Sequence, residues 1–132
     1  MSNRRLVVIG HRGASGYRPE NTLEAFELAF AQGADAIELD LVPTLDGNLI
    51  IRHEPALAET TNIADVAEFA DRRQTMEFEG EQFHDWFSID FTTEEIATIR
   101  ARERMAEIRP GSAKFDGQFK IPTLADLLKA EF

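Results

Sequence analysis

The 132-residue sequence contains no cysteine, which excludes disulfide bonds and thiolate metal sites. It also lacks long apolar runs, and the first of them covers only residues 6–9. A transmembrane helix needs about 18 consecutive apolar residues, and a signal peptide needs an apolar region of about 7–15 residues followed by a cleavage site. We therefore expect no transmembrane segment, no export signal and a cytoplasmic location.

Basic residues are also fewer than acidic ones. The chain has 14 Lys and Arg and 24 Asp and Glu, which gives a formal net charge of -10 at pH 7. This balance argues against nucleic acid or an anionic membrane surface as the main partner. Any anion-binding site must therefore be local and built from a few cations. The length predicts a single domain over residues 1–132, and a hydrophobic content of 43% is enough for a packed core.

The first forty residues have the pattern of a strand–helix–strand unit. Residues 6–9 are continuously apolar and β-branched, which predicts a strand buried on both faces. Asn21 and Glu24 have the spacing of a helix N-terminus, and Gly33 is placed to end that helix. Residues 36–42 predict the next strand. The order predicts an α/β protein with parallel strands.

A tight turn at Asp46 and Gly47 predicts an antiparallel hairpin between residues 36–44 and 49–53. A two-residue turn would place Asp40 directly opposite His53. Glu38 is two residues from Asp40, so both carboxylates would leave the same face of the strand. The alternative is that the two acidic residues simply face solvent on an edge strand.

From residue 54 to about 120 the periodicity fails, which predicts a long irregular insertion. Its aromatic residues favour an ordered segment with a local core around Trp86. Within it we predict a short helix near residues 63–71 and a helix that starts at the capping box of Thr92 and Glu95 and ends near residue 109. A last helix is expected after Thr123.

Five polar residues are expected to converge where parallel strands end, which is where active sites of parallel α/β proteins lie. Paired carboxylates suit a hard divalent cation, an arginine suits a phosphate oxygen, and two histidines can share general acid and base work. The set predicts metal-assisted cleavage of a phosphate ester. Each residue alone also has an ordinary structural explanation. The five are His11, Arg12, Glu38, Asp40 and His53.

These motifs together resemble the glycerophosphodiester phosphodiesterases, a family of metal-dependent (β/α)₈-barrel hydrolases. The resemblance runs from about residue 6 to residue 128, and two of its tracts are similar to the longer, often periplasmic branch of the family. That branch offers an exported location as the alternative to the cytoplasm. The matching motifs are "HRG" at 11–13, "PENT" at 19–22, "ELD" at 38–40, "TLDG" at 44–47, the histidine at 53, "WFSIDFTTEEI" at 86–96 and "IPTLADLL" at 121–128.

The resemblance implies hydrolysis of glycerophosphodiesters to glycerol 3-phosphate and an alcohol. It implies that His11 and His53 are the general acid/base pair and that Ca²⁺ or Mg²⁺ is bound by Glu38 and Asp40. Arg12 becomes the phosphate clamp, Asn21 joins it in binding the substrate phosphate, and Glu20 supports the site. One departure is Glu54, where the family usually has aspartate after the histidine.

The chain differs more from the family in its length, because a (β/α)₈ barrel takes about 250 residues and this chain has 132. We expect the N-terminal part of such a barrel, without the later strand that carries a further metal-binding glutamate in the family. The chain is then expected to be weakly active or inactive alone and to self-associate through exposed sheet edges. The alternatives are a non-catalytic phosphate-binding or interaction module, and a relative acting on other phosphodiesters such as lysophospholipids.

Overall fold

The computed structural model describes residues 4–132, so the predicted domain start at residue 1 lies outside the described part. Each regular element is short, and several are 3₁₀ helices. The strands are β1 (Ile9–His11), β2 (Ala36–Glu38), β3 (Leu41–Pro43), β4 (Leu49–Ile51), β5 (Gln74–Phe78) and β6 (Glu81–Asp85). The α-helices are α1 (Leu23–Ala31), α2 (Thr93–Ile96), α3 (Pro110–Ala113) and α4 (Leu124–Lys129), and the 3₁₀ helices are Ile63–Asp65, Ala67–Arg72 and Ser88–Asp90.

The strand–helix–strand unit has the predicted topology, since β1 pairs in parallel with β2 and α1 crosses between them. Thr22, not Asn21, caps α1, and its hydroxyl accepts a hydrogen bond from the N–H of Ala25 at 3.2 Å. Ala25, Phe26 and Ala29 form the buried face of the helix. The chain leaves α1 through Gly33 in a left-handed conformation, as expected for a helix end.

The prediction of a first strand buried on both faces is wrong. The strand begins at Ile9, and residues 6–9 are all exposed, with Leu6 at 86% of its full accessible area. In the described part of the chain β1 pairs only with β2, so nothing covers its other edge. His11 is the last residue of β1, paired with Glu38, and so stands at the carboxyl end of the strand as expected.

The predicted hairpin is confirmed only over β3 and β4, because residues 36–38 form the separate strand β2 that pairs with β1. Its register also differs by one residue from the prediction. Leu41 pairs with Ile51 and Pro43 with Leu49. The N–H of Arg52 donates to the carbonyl of Asp40 at 3.0 Å, so Arg52 stands opposite Asp40 and His53 does not. The cause is a three-residue loop ending at left-handed Gly47, closed by Thr44 N–H and the Asn48 carbonyl.

Much of the expected irregular insertion is regular. The predicted helix near residues 63–71 is present as two 3₁₀ helices, whereas the capped helix after Thr92 has only the four residues of α2. A β5–β6 hairpin turns at Glu79 and Gly80, both with positive φ. Thr123 caps α4 as predicted, and the structure adds a capping box with Asp126, while residue 110 begins α3.

The main core is formed by the segment after β4 and by the hairpin that precedes it. Trp86 is buried and donates its indole N–H to the carbonyl of Phe69, as the aromatic content of this segment predicted. No helix within residues 4–132 is long and apolar enough to cross a membrane. The other core members are Val42, Ile50, Leu57, Ile63, Phe91, Ile96, Ile99, Ala101 and Ile121.

Candidate active site

Two residues of the loop after β1 have strained backbone conformations. Arg12 and Asn21 both have left-handed φ angles, of 61° and 58°, which non-glycine residues adopt rarely and mostly at functional sites. Gly13 is also left-handed, and a Cβ there would lie 2.7 Å from the backbone carbon of Ala25. The loop is thus packed directly against the first turn of α1, which requires glycine at position 13.

A buried carboxylate joins two arginines at the centre of the site. Glu20 Oε2 lies 2.5 Å from Arg12 Nη1, and Oε1 lies 2.5 Å from Arg104 Nε. Burial by itself raises the pKa of Glu20, but the hydrogen bonds and positive charges of Arg12 and Arg104 outweigh burial and lower this pKa below its ordinary value. Glu20 is therefore ionised at neutral pH and fixes both guanidinium groups.

The two predicted metal ligands face different partners. Glu38 ends β2, and its Oε2 lies 3.5 Å from His11 Nε2. Asp40 follows the end of that strand, where its Oδ2 accepts a hydrogen bond from Asn21 Nδ2 at 3.2 Å and lies 3.5 Å from Arg12 Nε. His11 and Arg12 therefore lie beside the two carboxylates, as the sequence predicted.

His53 reaches the site by a different route from the predicted one. Because the hairpin register differs, it does not face Asp40 across the strands. Instead it lines a cavity of about 130 Å³ that it shares with Arg12, Glu20 and Asn21. Its Nδ1 lies 2.5 Å from Glu54 Oε1. The longer acid at position 54 thus reaches the imidazole directly.

Arg52 fixes the backbone that follows His53. The residue is buried and keeps only 4% of its accessible area. Nε donates to the carbonyl of Glu54 at 2.6 Å, and Nη2 donates to the carbonyl of Ala56 and to Thr60 Oγ1 at 2.7 and 2.9 Å. Burial lowers the pKa of Arg52 to about 10, so the side chain is still charged at neutral pH.

Sequence reasoning missed Arg52 and Arg104. Arg104 lies 84 positions from Glu20, and no local pattern indicates that pairing. The sequence did contain a signal for Arg52. An arginine at the end of an apolar strand must either find partners for its charge or face solvent. Both residues line the cavity that contains His53.

Within residues 4–132 there is no group of three or more His, Asp and Glu side chains arranged to bind a metal ion. Two of the buried oxygens near the site nevertheless accept no hydrogen bond, namely Glu38 Oε2 and Asn21 Oδ1. Oxygen atoms of this kind are the ligands that hard cations prefer. The donor set therefore fits a divalent cation but supplies only part of its coordination.

Comparison with known proteins identifies the family of the chain. The model of the glycerophosphoryl diester phosphodiesterase family matches residues 11–132. Glycerophosphodiester phosphodiesterase GDPD6 of Arabidopsis thaliana is 38% identical over 120 residues, which cover 91% of this chain and 32% of the relative.

Solved structures show the same fold. A glycerophosphodiester phosphodiesterase from Agrobacterium tumefaciens superposes with a TM-score of 0.65 at 27% identity, covering 94% of this chain and 42% of the other. A phosphodiesterase from Oleispira antarctica, in complex with the product sn-glycerol-3-phosphate, gives a TM-score of 0.62 at 27% identity and covers 92% of this chain and 38% of the other.

The fold is that of the solved glycerophosphodiester phosphodiesterases, present here as part of a (β/α)₈ barrel. The chain belongs to the glycerophosphoryl diester phosphodiesterase family. The chain spans about a third of the length of the curated relatives that it matches and about two fifths of the length of the proteins in the solved structures. The predicted family and fold class are confirmed, whereas the roles of individual residues and the domain limits stay predictions.

Proposed function

We propose that this chain carries the phosphate- and cation-binding part of a metal-dependent glycerophosphodiester phosphodiesterase. The observation that carries the proposal is the contact set of Arg12, which joins Glu20 at 2.5 Å, approaches Asp40 at 3.5 Å and shares a cavity with His53. A guanidinium held in this way presents a planar fork suited to a phosphate group. The products would be glycerol 3-phosphate and an alcohol.

The two histidines divide the proton transfers in this proposal. Hydrolysis of a phosphodiester needs one group to take a proton from the attacking oxygen and another to protonate the leaving alcohol oxygen. The contact of His53 Nδ1 with Glu54 leaves Nε2 free to exchange a proton in the cavity. His11 is exposed beside Glu38 and is accessible to substrate.

Glu38 and Asp40 would hold the divalent cation, either Ca²⁺ or Mg²⁺. When bound, the cation would draw electron density from the phosphoryl oxygens and so favour attack at phosphorus. The hydrogen bond from Asn21 Nδ2 orients Asp40 for this role. Binding of the substrate phosphate by Asn21 stays a prediction, since its amide is directed to Asp40.

The test is to incubate the chain with glycerophosphocholine and Ca²⁺ or Mg²⁺ and to follow glycerol 3-phosphate by ³¹P NMR. We expect cation-dependent release that Arg12→Gln removes. Arg100→Gln is the matched control, because in the described part of the chain the Arg100 side chain donates only to carbonyls of its own segment. Release that is independent of the cation, or equal loss in both variants, would contradict the proposal.

A second candidate is a phosphate-binding module without turnover. It is favoured by the partial coverage of the relatives and by the lack of a three-residue metal cluster in the described part of the chain. Cation-dependent thermal stabilisation without product release would identify this module.

The exposed apolar residues 6–9 and the unpaired edge of β1 support the further proposal that the chain self-associates. Sedimentation would measure this association.

A further inference from the structure

The guanidinium group of Arg104 has two terminal nitrogens that the described fold does not use. Its Nε lies 2.5 Å from Glu20 Oε1, and within residues 4–132 this is the one hydrogen bond that the side chain donates. Arginine–carboxylate pairs are frequently bidentate, with two parallel hydrogen bonds. The single contact at Nε leaves Nη1 and Nη2 without an acceptor in this part of the chain, and the side chain is 31% exposed.

We propose that Arg104 is a second phosphate-binding residue, which acts with Arg12 on the same phosphate group of the substrate. The inference rests on the proposed function, because it adds a residue to that phosphate site. Arg104 lines the cavity of about 130 Å³ that also contains Arg12 and His53. The terminal nitrogens of its planar guanidinium are the donors that bind phosphate oxygens in proteins.

Glu20 brings the two arginines together. Its Oε2 lies 2.5 Å from Arg12 Nη1, and its other oxygen contacts Arg104, so two guanidinium groups share one carboxylate. The hydrogen bond with Glu20 raises the pKa of Arg104 above its ordinary value, so the group is charged at neutral pH. One negative charge cannot neutralise two positive ones, and the three side chains therefore keep a net positive charge that favours an anionic ligand.

The other charged residues of the cavity are engaged or exposed. Arg52 donates to the carbonyls of Glu54 and Ala56 and to Thr60. The carboxylate of Glu54 contacts His53, and Glu59 is exposed. Three arginines thus line one cavity of a chain with a formal net charge of -10, which is the local concentration of cations that an anion site in this chain requires.

Glu103 fixes the backbone on both sides of Arg104. Its buried Oε2 accepts a hydrogen bond from the N–H of Met105 at 3.0 Å and lies 3.7 Å from Arg109 Nη1. Its own N–H donates to Asp116 Oδ1 at 2.7 Å. The residues before and after Arg104 are therefore both held, and the guanidinium is positioned before any ligand binds.

The direct test adds sn-glycerol 3-phosphate to the full chain in the presence of Mg²⁺ and follows the arginine guanidinium N–H signals by NMR. This probe is the product of the proposed reaction, so the measurement requires no turnover. We expect the terminal N–H signals of Arg12 and Arg104 to shift together, with the same dissociation constant.

Three variants measure how much Arg104 contributes to the affinity. Arg104→Gln should weaken binding of the probe about tenfold or more, because hydrogen bonds between two charged groups are lost. Arg104→Lys keeps the charge but not the planar fork, so its affinity should lie between those of wild type and Arg104→Gln. Arg100→Gln is the matched control, because it removes the same charge from the same segment outside the cavity, and it should change the affinity by less than about twofold.

Shifts at Arg12 without shifts at Arg104 would overturn the inference and leave the proposed function in place, since Arg104 would then be only a structural partner of Glu20. An affinity that Arg104→Gln does not change, or that Arg100→Gln lowers equally, would overturn it in the same way. No shift at either arginine would contradict both the inference and the proposed phosphate site. The wild-type spectra decide the question even where a variant fails to fold.

Discussion

Replacing Glu20 by Gln tests the charge network at the centre of the site. The carboxylate is buried and holds Arg12 and Arg104 through one oxygen each. Removing one partner of a buried ion pair costs about 3–5 kcal/mol, because the other charge is left unpaired. Asp40 remains 3.5 Å from Arg12, and Arg104 is partly exposed, so we expect a smaller loss of about 2–3 kcal/mol in the free energy of unfolding.

The assay is urea unfolding followed by the fluorescence of Trp86, the single tryptophan, which is buried in the core. Glu24→Gln is the matched control. Burial raises the pKa of Glu24 and its Oε2 has no partner, so its replacement should change the stability by less than about 1 kcal/mol.

The pH dependence of this stability difference tests the role of the Glu20 charge more directly. The pKa of Glu20 in the folded protein lies below the ordinary value of 4.5, so its stabilisation is complete above pH 4.5 and disappears as the pH falls through the folded pKa. The difference between wild type and Glu20→Gln should therefore shrink in acid. An equal effect of both variants, or a difference that does not change with pH, would refute the reasoning.

Three further outcomes are expected. His11→Ala should abolish any hydrolysis and leave the melting temperature nearly unchanged, because the imidazole is exposed; a large loss of stability would show a structural histidine instead. Gly13→Ala should cost about 3 kcal/mol or more by urea unfolding, whereas Gly47→Ala, also left-handed but with open space around it, should cost about 1–2 kcal/mol; similar values would contradict the close packing of the loop. Arg52→Met should destabilise the chain by about 2–4 kcal/mol and speed hydrogen exchange in residues 54–60, and unchanged exchange there would contradict its anchoring role.

Local features of the fold could be predicted from the sequence. The last helix was predicted from Thr123 as its cap, and the strand–helix–strand order was predicted from apolar spacing and Gly33. The helix start was displaced by one residue, because Asn21 adopts a left-handed conformation and directs its side chain to Asp40 while Thr22 caps the helix.

Features that depend on distant partners could not be predicted. The burial of residues 6–9 depends on what covers β1, which in the described chain pairs only with β2. The position of His53 relative to Asp40 depends on whether the loop that ends at Gly47 has two or three residues. A shift of one residue in the strand register moves each side chain to the opposite face of the sheet. The pairing of Arg104 with Glu20 depends on the path of the whole intervening chain.

The central claim is that Glu38 and Asp40 hold a divalent cation beside His11. The most direct measurement adds Mn²⁺ as a paramagnetic substitute for Ca²⁺ or Mg²⁺ and follows the histidine ring protons by NMR. His84 is the internal control, because it lies on the β5–β6 hairpin with Thr75 as its partner. We predict selective broadening of His11 that excess Mg²⁺ reverses and that Asp40→Asn abolishes, while His84 stays sharp; unbroadened His11, or equal broadening of His84, would contradict the account.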